Sequence, residues 1–64
     1  MNRREFEKHL RSHGCSLHRH GAKHDIWINP ANGRKAVVPR HNTIAPGIVR
    51  SVCKKLEIPL PPGF

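Results

Sequence analysis

Six histidines share this chain with twelve lysines and arginines but only four acidic residues. An imidazole titrates near neutral pH, so it can take or give a proton under ordinary conditions. Set among cations, it suits chemistry at a phosphodiester, where a proton moves and negative charge builds up. RNA is the apt substrate, because its own 2′-hydroxyl can attack the adjacent phosphorus without a metal. His24 is one candidate among the six: it opens the run His24-Asp25-Ile26-Trp27-Ile28, with Lys23, Arg19 and His20 close in sequence to stabilise charge. It also has a structural reading, since it shares strand parity with Ile26 and Ile28 and would follow them into a core. His41, beyond Pro39 in a polar connection, is read as structural or partner-binding rather than catalytic.

Cys15, His18, His20 and His24 raise the question of zinc. Their spacing is compressed compared with paired zinc ligands, and four tetrahedral ligands seldom come from one strand and turn. His18 and His20 share a strand face whereas Cys15 has the other parity. No metal and no other cofactor is expected. Cys15 and Cys53 are read as small buried apolar residues rather than a disulfide.

The elements that must position these residues follow from periodicity. Asn2 can cap a helix with Glu5 three residues on, and Phe6 and Leu10 mark one apolar face, so a helix is expected from Arg3 to His13, stopped by Gly14. A short strand follows over residues 15–20, then a turn at Gly21-Ala22, and the β-branched and aromatic run from His24 is the strongest strand. Asn29 to Gly33 forms a hairpin loop and Lys35 to Pro39 a third strand. Pro46 suits the first turn of a second helix, in which Ile48, Val52 and Leu56 repeat every four residues. Pro59, Pro61 and Pro62 forbid further helix, giving one domain over residues 1–58 and a Pro-rich tail, extended, over 59–64.

The expected architecture is α+β, α-β-β-β-α: a three-stranded antiparallel sheet with both helices on one face. The other face is left for a ligand. Trp27 has opposite parity to Ile26. Either the isoleucines face the helices and Trp27 lies on the open face, free to stack on a base, or Trp27 is core and the isoleucines lie outside. The net charge of +8 favours a polyanionic partner over a membrane surface, and Arg34 and Arg40 join the basic residues of both helices in a distributed phosphate-binding surface. No stretch approaches the ~20 apolar residues of a membrane span. The basic N-terminus has no apolar run after it, as a signal peptide would, and a cytoplasmic location is expected.

In order along the chain stand Gly14, Gly21-Ala22-Lys23-His24, Val38-Pro39-Arg40-His41, Gly47 and Leu56-Glu57-Ile58. In this order and spacing the chain resembles the HicA-type toxins, the small mRNA-cleaving halves of HicBA toxin–antitoxin pairs. The likeness runs from Phe6 to Leu56. It implies a fold similar to the double-stranded-RNA-binding domain and a single catalytic histidine, which falls on His24. It also implies an mRNA substrate and a HicB-type antitoxin that masks the site in a hetero-oligomer. Gly21, Pro39, His41 and Gly47 are then structural or partner-facing positions. Two departures stand out: Ala22 replaces the usual serine, and Lys23 replaces a second histidine but can still meet a phosphate. Two other functions fit the same charge: a non-catalytic RNA-binding module of the double-stranded-RNA type, and a small protein whose basic surface serves only a protein partner.

Overall fold

The computed structural model describes residues 1–64. Helix α1 (Arg3–Ser12) is followed by strands β1 (Ser16–His20), β2 (His24–Asn29) and β3 (Arg34–Pro39) and by helix α2 (Pro46–Leu56). The strands form one antiparallel sheet in the order β1-β2-β3. This is the expected α-β-β-β-α order, with element ends displaced by about one residue.

Local chemistry sets the ends of each element. Asn2 caps α1, its Oδ1 accepting from the Glu5 N–H at 2.8 Å. Past the helix Gly14 takes φ +85°, a left-handed conformation that favours glycine. Helix α2 starts at Pro46, whose missing N–H costs nothing there. Its C-terminal carbonyls are closed from the β2–β3 turn, where Asn29 and Asn32 both donate through Nδ2 to the Leu56 carbonyl, at 2.8 and 3.1 Å.

Phe6 and Leu10 of α1 and Val49, Val52, Cys53 and Leu56 of α2 join Trp27, Ala36 and Val38 of the sheet in a single core cluster. Both helices therefore cover the same sheet face. The parity of β2 is settled here: Asp25, Trp27 and Asn29 are buried, while Ile26 and Ile28 are only half-buried on the other side. Trp27 is 1% exposed, with the Arg11 guanidinium 5.1 Å from its ring centroid. The placing of Trp27 as a base-stacking residue is thus corrected: the indole fills the core. The largest side chain of the strand gains most by leaving water.

β1 carries a bulge. Leu17 stands opposite Trp27, but Arg19 stands opposite Ile26 and His20 opposite Asp25, so His18 is an extra residue without a partner. The bulge reverses the alternation. Arg19 faces the open side with Ile26, and His20 turns towards Asp25. The Pro-rich tail has no helix, yet it lies back on α1, where His9 Nε2 is 2.8 Å from the Pro59 carbonyl and Pro61 is buried. No helix is long and apolar enough to cross a membrane.

Candidate functional site

His24 is the first residue of β2, exposed, and its ring has no hydrogen-bond partner within the protein. It lies where two depressions meet. One, of about 390 Å³, occupies the open sheet face and brings His24 together with Arg19, Lys23, Ile26 and Val37. The other, a groove of about 350 Å³, runs between the end of the sheet and α2, and there His24 meets Pro39, His41, Gly47, Ser51 and Lys55. No carboxylate lines either depression. Arg19, Lys23 and Lys55 take part in no ion pair, whereas Arg3, Arg11, Arg34 and Arg40 each face a carboxylate.

The turn before His24 is tightly closed. The Gly21 N–H donates to the His24 carbonyl at 2.6 Å, and a Cβ on Gly21 would lie 2.7 Å from that same oxygen. Glycine is required there by close approach of backbone to backbone. Arg40 ties the turn from the far side: its NH2 donates to the Ala22 carbonyl at 2.7 Å and its NH1 to Asp25 Oδ1 at 3.0 Å. His20 Nδ1 meets the same Asp25 oxygen at 2.8 Å. Burial would raise the Asp25 carboxyl, but hydrogen bonds from His20 and Arg40, and then their charges, hold it below its ordinary value.

The candidate residues therefore divide. Arg19 and Lys23 stand beside His24, as do Gly21, Pro39, His41 and Gly47. Arg40 and His20 are bonded to Asp25 and hold the turn, although the His20 side chain remains largely exposed. Arg34 pairs with Glu57 at 3.4 Å and sits opposite Asn29, at the other end of β2. Five residues of strand put it about 17 Å from His24. Residues 15–24 do not gather around a metal: Cys15 is buried, His20 is turned to Asp25, and no group of three or more His, Cys, Asp or Glu converges anywhere. Cys15 and Cys53 are unbridged, and burial pushes both thiols up, which leaves them protonated and inert.

Sequence reasoning does not mark Asp25 or Ser51, and it places Lys55 only in a distributed phosphate-binding surface. Lys55 was one basic residue among many on the second helix, and only the packing of α2 against β3 brings it to His24. Asp25 was the one acid inside an apolar strand, a signal that the residue had partners.

A family model described as the HicA toxin of bacterial toxin-antitoxin matches residues 3–58. No curated protein and no solved structure matches the chain at a significant level.

Proposed function

The chain belongs to the HicA toxin family, toxins of bacterial toxin–antitoxin pairs, and on that premise we propose that it is a metal-independent endoribonuclease that cleaves mRNA at His24. The observation that carries this reading is the setting of His24: an exposed imidazole with no internal partner, between three unpaired cations, in a surface free of carboxylates. A phosphodiester held by Arg19, Lys23 and Lys55 would bring the adjacent ribose 2′-hydroxyl to the imidazole. Proton transfer there contributes about 10²- to 10⁴-fold, and fixed cations stabilise the charge that develops on the phosphorane. The partner is a HicB-type antitoxin that covers the open sheet face. An acidic partner would associate fast and with marked salt dependence, given the +8 charge.

His24→Ala tests the reading. The side chain is exposed and unbonded, so the variant should fold as the parent does. It should bind an RNA oligonucleotide within a few-fold of the parent, yet yield no product in the presence of a chelator and arrest no growth when expressed alone. Undiminished cleavage by the variant would remove His24 from the chemistry. RNA binding without any product from the parent chain would favour the non-catalytic module.

A further inference from the structure

We infer that His41 is a second proton-transfer residue of this site, so that cleavage runs on a His24–His41 pair; this rests on the ribonuclease reading above. Of the six histidines, only these two line the groove between the sheet and α2. The other four are placed elsewhere. His9 meets the Pro59 carbonyl, His13 stacks edge-on against His9, His18 is the bulged residue of β1, and His20 is held by Asp25. Neither the His24 nor the His41 ring has a partner within the protein, so both are free for a substrate.

The two come from separate elements that are locked together. Pro39 stands directly opposite His24 in the β2–β3 ladder, and His41 follows two residues later. The segment around His41 is pinned on both sides. The Arg40 carbonyl accepts from Arg3 NH1 at 2.9 Å, the Asn42 carbonyl accepts from the Arg3 N–H at 2.9 Å, and Ile44 is fully buried, its N–H donating to the Met1 carbonyl at 2.7 Å. The backbone on either side of His41 is thus fixed in place, while its exposed ring is left free for a substrate. From α2, Lys55 and Ser51 face the same groove, and Lys23 and Arg19 face His24 from the adjoining depression.

This arrangement supplies what phosphodiester transfer needs. One imidazole takes the 2′-hydroxyl proton as O2′ bonds to phosphorus. The other, as imidazolium, gives its proton to O5′ as the P–O5′ bond breaks. The products are a 2′,3′-cyclic phosphate and a 5′-hydroxyl end, and proton exchange with water resets the pair. The Lys55 ammonium sits where it can neutralise the non-bridging oxygens. Two imidazoles in one groove can thus divide the roles of base and acid between them.

The test is kcat against pH for the full chain and for His41→Ala, with His24→Ala alongside. The parent should show a bell-shaped profile and leave 2′,3′-cyclic phosphate ends. His41→Ala should lose about 10²- to 10⁴-fold in kcat, lose one limb of the bell, and recover activity on addition of free imidazole. His41→Gln, closer in shape, should show the same loss while keeping the parent's circular dichroism and RNA affinity. A kcat within about threefold of the parent in His41→Gln, a bell that persists, or linear 3′-phosphate ends as the first product would overturn the pairing. An inactive His24→Ala beside a fully active His41→Gln overturns the pairing alone, whereas a parent chain that makes no product overturns the ribonuclease reading with it.

Discussion

Asp25 is the carboxylate on which the turn before His24 depends. It is 7% exposed and holds His20 and Arg40 at 2.8 and 3.0 Å, and Arg40 in turn holds the Ala22 carbonyl. Because the carboxyl lies below its ordinary value when folded, its contribution to stability is present above the unfolded carboxylate range of about 4 and is lost as pH falls through the lower folded value. Thermal melts taken downwards from about pH 5 should therefore show stability falling. Asp25→Asn should flatten that fall and cost about 1–3 kcal/mol at neutral pH, because Arg40 and His20 lose their charged partner. Identical acid profiles for parent and variant would show that Asp25 is not the titrating group. In the sequence His24 and Gly21 stand out through the resemblance to the HicA-type pattern. Asp25 does not, because its partners lie on the two neighbouring strand ends and no local pattern links position 25 to position 40.

The sheet is where hydropathy alone misleads. Alternation in β2 offers one face of Asp25, Trp27 and Asn29 and another of Ile26 and Ile28, and by side-chain polarity the isoleucines should be inside. The opposite occurs because both polar residues on the buried face are satisfied from a distance: Asp25 by His20 and Arg40, Asn29 by the Leu56 carbonyl of α2. Trp27 is then buried among the helices, its indole Nε1 without a partner, while Ile26 and Ile28 are half-buried on the other side. Helix periods and the order of elements are local properties and could be read directly. The bulge at His18 could not, since one extra residue in a strand leaves no mark on composition while it turns Arg19 to the open face. The outcome is an open face with an apolar strip, Ile26, Ile28 and Val37, edged by cations. Val37 is 49% exposed and borders both depressions at His24. Val37→Glu should fold with little loss, since the side chain points to solvent. Its carboxylate would stand among the cations that receive the phosphate and should weaken RNA binding about tenfold at low salt. Unchanged affinity in a filter-binding or anisotropy titration would place the RNA off this face.

Across the whole molecule, none of the four acids pairs with a cation at His24. Glu7 takes Arg3 and Arg11, Asp25 takes His20 and Arg40, and Glu57 takes Arg34, while Glu5 lies in the first turn of α1. Eight of the twelve lysines and arginines take part in no ion pair, and three of these, Arg19, Lys23 and Lys55, gather around His24. This makes a quantitative claim about binding. Each phosphate neutralised on a single strand contributes about 0.7 to the slope of log K against log salt. In a His24→Ala background, where RNA is not consumed, Lys23→Gln and Lys55→Gln should each reduce that slope by about 0.7. Arg34→Gln removes the same formal charge, but from a residue paired with Glu57 at the far end of the sheet, and should leave the slope nearly as it was. Equal reductions from all three would mean that RNA senses only net charge, which any small basic protein has. A reduction confined to Lys23 and Lys55 would mean that the phosphate chain passes over His24.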